Sequence, residues 1–169
     1  MGQVKLKENV IQIGNALPKI GMTAPDFKLV NTDLAEMSLK NYAGKRKLLS
    51  FVPSLDTAVC SLSTKKFNDA VGAHPEVVVL VISSDLPFAQ KRFCGAEKVN
   101  NVHTLSMMRG KDAALSYGVL MEDGPLAGLS ARAVFVLDEK DKLIYFEVVP
   151  EITSEPDYSK ALAALLPGV

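Results

Sequence analysis

The chain has 169 residues, 48% of them apolar, which suits a globular core and argues against a disordered segment. Nineteen basic residues balance nineteen acidic ones, so no basic excess points to nucleic acid or to an anionic membrane surface. No run of about 18 apolar residues predicts a membrane span. Two cysteines without a C-x-x-C make neither a zinc site unaided nor a disulfide scaffold.

Within residues 1–15, Val4 and Leu6 alternate with polar neighbours, Glu8-Asn9 interrupts, and Val10, Ile11 and Ile13 resume. This pattern predicts a β-hairpin. The same stretch carries charges inside its apolar residues and lacks a signal-peptide core. The expected compartment is the cytoplasm, although a mature periplasmic chain would read the same way. Gly21 to Pro25 is a turn leading to a short strand, Asp26 to Val30, and Ser38-Leu39-Lys40 is a candidate for another. Arg46 to Val52 is an apolar run halted by Pro53, the mark of a buried central strand. A helix follows from Ala58 to Ala70, with Val59, Leu62 and Phe67 on its apolar positions. Val77 to Ile82 is a second buried strand. Pro87 to Phe93 reads as a helix with proline in its first turn and Gly95 just past its end. Asp112 to Tyr117 is a short helix ended by Gly118. Ala133 to Leu137 and Leu143 to Val149 are strands, and Tyr158 to Leu166 is a last helix closed by Pro167-Gly168. Alternating strands and helices with a late strand pair predict an α/β fold. It would be one domain over 1–169, with a mixed central sheet flanked by helices and an N-terminal hairpin extension at 1–15.

The chemistry centres on Cys60. A buried strand ends at Pro53, a loop follows, and a helix begins near Thr57. With Thr57 as N-cap, Cys60 is the third helical residue, close to unpaired amides and the positive end of the helix dipole. Both favour the thiolate, which is the nucleophilic form. The Thr57 hydroxyl is within reach of a sulfur three residues on. Cys94 has the opposite setting, in the last turn of its helix, where the dipole disfavours an anion. One activated and one unactivated cysteine form the pair that peroxide reduction uses, through a sulfenic acid and then a disulfide. The alternative is two buried, inert thiols. Arg132 opens an apolar strand. It stands either at the sheet edge in solvent or aimed at an anion. His74, before Pro75, reads as a surface turn residue, and His103 as a structural histidine in a short apolar stretch. Neither has ligand spacing to the cysteines, and no G-x-S-x-G elbow supports a serine triad.

Pro53, Thr57 and Cys60 form P-x-x-x-T-x-x-C, which resembles the peroxidatic signature of peroxiredoxins, and Ala24-Pro25-Asp26-Phe27 resembles their early A-P-D-F turn. Ser84-Asp85-Leu86-Pro87-Phe88-Ala89-Gln90 and Arg92-Phe93-Cys94 are similar to the bacterial thiol peroxidases, the atypical two-cysteine branch. The resemblance covers nearly the whole chain. It implies a thioredoxin-like fold and a homodimer, with Cys60 peroxidatic and Cys94 resolving within one chain. It implies Thr57 on the sulfur and peroxide, Pro53 shielding the site, and Arg132 beside the thiolate. The implied substrates are hydrogen peroxide and alkyl or lipid hydroperoxides, and the implied reductant is thioredoxin. Sulfur carries the chemistry, with no metal, haem or flavin. If the two cysteines stand on separate helices, one helix must unwind to join them, and the segment from Pro87 to Val99 is expected to move. The rival readings are a thiol–disulfide oxidoreductase acting on proteins and a binding domain on the same scaffold.

Overall fold

The structure is a computed structural model and describes residues 2–14 and 16–168. Strands β1 (Gly2–Leu6) and β2 (Asn9–Ile13) pair antiparallel around Lys7, whose φ of 56° makes the tight turn. The predicted hairpin is present, and its outermost positions, 1 and 15, lie outside the described residues. Alternation along it sends Val4, Ile11 and Ile13 inward against Met121, Ala131 and Ile152.

The main sheet has seven strands. They are β3 (Leu29–Val30), β4 (Glu36–Met37), β5 (Arg46–Phe51), β6 (Val77–Ser83), β7 (His103–Ser106), β8 (Ala133–Leu137) and β9 (Leu143–Val148), in the spatial order β4-β3-β7-β6-β5-β8-β9. Strands β5, β6 and β7 are parallel, and the other pairings are antiparallel. The helices are α1 (Ala58–Val71), α2 (Pro87–Ala96), α3 (Asp112–Ser116) and α4 (Tyr158–Leu165). This is the thioredoxin-like α/β arrangement with a mixed sheet that the sequence predicts.

Period-two alternation divides the sheet residues between two cores. Leu48, Val79, Val81, Val134 and Val136 face α1, α2 and α4, where Phe67, Phe93 and Leu165 meet them. Leu49, Phe51, Leu80, Ile82 and Phe135 face the other way, onto α3, Tyr117 and the Ala24–Phe27 segment. The Tyr117 hydroxyl donates to the Pro25 carbonyl at 2.7 Å and pins that segment down.

Three local expectations need correction. Ser38-Leu39-Lys40 is not a strand: Ser38 caps a 3₁₀ turn over Leu39–Tyr42, and its amide donates to Asn41 Oδ1 at 2.8 Å. Of the Asp26–Val30 strand only Leu29–Val30 pairs, because the Asp26 carboxylate takes the Phe27 and Leu39 amides into a local turn. Helix α2 runs on through Gly95 to Ala96, since the residue that takes the left-handed conformation is Lys98, at φ 54°, and Val99 N then donates to Cys94 O at 2.9 Å. Strand β7 lacked a sequence signal, and His103, expected inside, opens it as an exposed residue tilted against the Tyr42 ring.

Candidate active site

Strand β5 ends at Phe51, and the next residues are held in place by the sheet. Val52 N donates to Ile82 O at 3.0 Å, and Ser130 Oγ donates to Val52 O at 3.0 Å. Pro53, buried, has no amide to continue the ladder, so the chain leaves the sheet there. The loop then closes through Thr57 N to Ser54 O at 3.1 Å. Thr57 is extended, at φ −91° and ψ 146°, and is the N-cap of α1. Cys60 is therefore the third helical residue, as expected, in the turn whose amides have no intrahelical acceptor. Its side chain has no exposed surface, and Ser63 and Thr64 hydroxyls occupy its carbonyl at 3.1 and 2.8 Å.

The sulfur's polar partner is Arg132. Its Nη1 donates to Cys60 Sγ at 3.3 Å. The guanidinium is only 2% exposed, so of the two readings of Arg132 the solvent-edge one is wrong. Its Nε and Nη2 both donate to the Ile152 carbonyl, at 3.2 and 2.9 Å. A rigid fork held from behind by a backbone oxygen thus presents its free edge to the sulfur. No side-chain motif signals Ile152, because it contributes only a carbonyl. Nearby, the exposed Glu155 accepts from Lys66 Nζ at 2.9 Å and Tyr158 Oη at 2.8 Å, and these bonds hold its carboxyl below the usual range.

Thr57 differs from expectation. Its exposed hydroxyl donates to Ser54 O at 2.9 Å and makes no capping bond. The site loop is instead anchored by Asp85, a role that sequence reasoning missed. The Asp85 carboxylate accepts from Ser54 Oγ at 2.7 Å, Leu55 N at 2.8 Å and Ser83 Oγ at 2.7 Å.

Cys94 is a free, half-buried thiol in the last turn of α2. Burial pushes its pKa up, and the Thr104 hydroxyl beside it pulls weakly the other way. Desolvation is the larger reason it stays a thiol, where the sequence pointed to the helix end. Cys94 lines a cleft of about 260 Å³ with Tyr42, Lys91, His103 and Thr104, on the β7 side of the fold. Arg132, which touches Cys60, leads into β8. Cys60 stands in the first turn of α1 and Cys94 in the last turn of α2. A disulfide needs Cα atoms within ~7 Å, and both cysteines are free in this arrangement. Among the described residues no cluster of three His, Cys, Asp or Glu side chains could hold a metal ion, and no helix is long and apolar enough to cross a membrane.

Comparison with known proteins identifies relatives along nearly the whole chain. The Redoxin family pattern matches residues 19–163. A thiol peroxidase of Leptospira interrogans serogroup Icterohaemorrhagiae serovar copenhageni is 53% identical over 166 residues, 97% of each chain. Among solved structures, a peroxiredoxin-like protein from Aquifex aeolicus superposes with a TM-score of 0.89 at 41% identity, covering 96% of this chain and 95% of that one. A thiol peroxidase from Chromobacterium violaceum, at 23% identity, shares the fold with a TM-score of 0.87 over 94% of this chain and 91% of its own.

Proposed function

The chain belongs to the redoxin family, in its thiol-peroxidase branch, and from that membership we propose that Cys60 is the peroxidatic cysteine and Cys94 the resolving one. The observation that carries the reading is the Arg132 Nη1 bond to Cys60 Sγ, 3.3 Å long and buried at the first turn of α1. A permanent cation fixed against a sulfur stabilises the anionic nucleophile and then the negative charge on the departing oxygen.

The Cys60 thiolate attacks the terminal oxygen of a hydroperoxide. The O–O bond breaks, the alkoxide takes a proton and leaves as alcohol or water, and the sulfur, oxidised by two electrons, becomes a sulfenic acid. The Cys94 thiol then attacks that sulfur, and the sulfenic oxygen leaves as water with the thiol proton. A dithiol donor of the thioredoxin kind reduces the disulfide and returns both thiols. Because Cys60 has no exposed surface, the peroxide enters as the exposed Asp56–Thr57–Ala58 turn gives way. Pro53 limits water at the site, and the Thr57 hydroxyl turns from Ser54 O to the peroxide. Hydrogen peroxide and alkyl or lipid hydroperoxides are the substrate class. Since Cys60 and Cys94 are free and stand on separate helices, α2 unwinds to join them. The working form is a homodimer. The setting is the cytoplasm, which keeps thiols reduced.

The test is rapid mixing of the reduced protein with one equivalent of cumene hydroperoxide, followed by acid quench and mass spectrometry. Loss of two hydrogens mapping to Cys60–Cys94 is the expected result. Cys60→Ser abolishes turnover, whereas Cys94→Ser allows one oxidation and stalls. Retained peroxidase activity in Cys60→Ser would overturn the reading.

A further inference from the structure

Two polar clamps stand at the two ends of α2, and neither lies on the helix itself. Before the helix, Asp85 is gripped from both sides. Its carboxylate takes Ser54 Oγ and Leu55 N from the Cys60 loop, and its carbonyl takes Ser106 Oγ from β7. After the helix, the buried Asn68 side chain of α1 accepts two consecutive amides, Asn100 N at 3.0 Å and Asn101 N at 2.7 Å. The Asn101 side chain returns a bond to Asn68 O at 3.2 Å. Apart from the buried Gln90 amide, which donates to Ser83 Oγ and Leu105 O, the side-chain ties on α2 and its end lie in solvent. Arg92 meets Asp56 at 3.6 Å, and Glu97 meets Lys65 at 2.8 Å, both as solvent-exposed ion pairs of small worth.

We infer that Asp85 and Asn68 are positioning residues for the resolving step, fixed posts between which residues 86–99 unwind to bring Cys94 to Cys60. The inference rests on the Cys60–Cys94 pairing proposed above. Chain length permits it. Asp85 to Cys94 is nine residues and Cys94 to Asn100 is six, which extended span about 30 Å and about 20 Å. Cys60 stands eight residues before Asn68 on α1, about 12 Å along the helix, and five residues after Leu55, at most about 17 Å of chain, so Cys94 reaches Cys60 with both posts intact. The posts also explain why the motion is local. The loop carrying Cys60 is tied through Asp85 to the sheet, so its geometry survives while the neighbouring helix melts. Gly95, exposed inside the helix, weakens it, and unwinding must also release Gln90, whose Nε2 donates to Ser83 Oγ at 3.0 Å and to Leu105 O at 3.1 Å.

Bonds that persist on both sides of an equilibrium drop out of it, and bonds broken in one state enter it. The two kinds of tie therefore give opposite kinetics. Asn68→Ala lowers thermal stability yet leaves the rate of disulfide formation within about twofold of the parent, since the post holds in both states. Lys65→Met removes a tie that must break and speeds that step about twofold, the order expected of an exposed ion pair. The rate is read by acid quench and mass spectrometry, because the chain has no tryptophan. The direct test needs no variant. Amide exchange is measured by NMR on the reduced chain and on the disulfide form. The disulfide is made with diamide, which accepts the two electrons and two protons that the thiols release, so the test stands even if peroxide fails to oxidise Cys60. The expected result is loss of protection at Gln90, Glu97 and Val99, with Leu55, Asn100 and Asn101 still protected. Loss of protection at Leu55, Asn100 or Asn101 in the disulfide form overturns the inference. So does acceleration of disulfide formation by Asn68→Ala beyond about threefold, or a failure of diamide to join Cys60 and Cys94.

Discussion

The sulfur of Cys60 depends on one guanidinium, and Arg132 is where the chemistry is most exposed to a single change. Its fork spans two acceptors, Cys60 Sγ and Ile152 O. Arg132→Met removes the charge and both sets of donors, and Cys60 oxidation by cumene hydroperoxide at neutral pH is expected to slow by about 10²- to 10³-fold, the usual effect of deleting a charge-stabilising donor. Arg132→Lys keeps the charge but cannot bridge both acceptors, so it falls between. A rate for Arg132→Met within threefold of the parent, in a folded protein, would remove Arg132 from the mechanism. Much of this site was legible in the sequence. Pro53 ended the strand, Thr57 capped the helix, and Cys60 fell on its third position because those three signals are local. The family resemblance pointed Arg132 at the sulfur, but its strand position alone did not, since an arginine opening a strand is equally consistent with solvent until the sheet order is known. Asp85 and the Ile152 carbonyl, which act through contacts some 30 and 20 residues away in the chain, were not legible. The Thr57 hydroxyl was misjudged because Ser54 O, closer in the loop, competes for it.

Helix α2 carries an element-scale conflict between being folded and being useful. Gly95 lies inside it, exposed, and a methyl group there meets no atom within 4 Å. Gly95→Ala is expected to stabilise the helical state by roughly 0.5–1 kcal/mol, and so to slow disulfide formation about two- to fivefold while leaving the first oxidation of Cys60 unchanged. The slower step lets excess peroxide carry more of the protein to sulfinic acid, which mass spectrometry reads directly. An unchanged ratio of disulfide to sulfinic acid would mean that α2 stays helical during resolution. The buried thiol of Cys94 adds a pH dependence. Burial raises its pKa in the fold, so as pH climbs through about 8.5 the unfolded chain releases its proton first. The folded state holds the proton longer and loses stability until Cys94 also ionises. This contribution is therefore fully present below about pH 8.5 and lost above the folded value. Between about pH 7.5 and about pH 9.5 the urea midpoint of the parent should fall more than that of Cys94→Ala. Parallel curves for the two proteins would contradict the assignment.

Across the whole molecule, the strands themselves were legible where local patterns were strong and were missed where pairing was short. The runs at Arg46–Phe51, Val77–Ser83 and Ala133–Leu137 announced themselves because they are buried on both faces. Strand β7, of four residues, exists because β6 and β3 hold it from a distance, and β4, of two residues, because it pairs back on β3; no periodicity fits in so few positions. Lys47 shows the same limit from another side. It sits inside an apolar strand with no exposed surface, and its ammonium pairs with Asp141 at 2.5 Å and with Lys45 O at 2.9 Å. Asp141 turns the β8–β9 hairpin in the left-handed conformation, at φ 62°. Its carbonyl accepts Ala24 N at 2.8 Å, so one residue ties the N-terminal segment, the hairpin and the central strand together at the end of the sheet away from Cys60. Asp141→Asn keeps the backbone, because asparagine tolerates this conformation, but leaves a buried cation without its counter-charge. Breaking a fully buried pair costs about 3–5 kcal/mol. Asp141 is partly exposed, so a loss of about 2 kcal/mol is expected. Lys47→Met, which removes the charge and keeps the volume, should stay within about 1 kcal/mol of the parent. Urea denaturation measures both, and the rate of Cys60 oxidation should not change in either variant. If Asp141→Asn matched Lys47→Met in stability, the pair would be an exposed ornament of the turn and not the bolt that holds this end of the sheet closed.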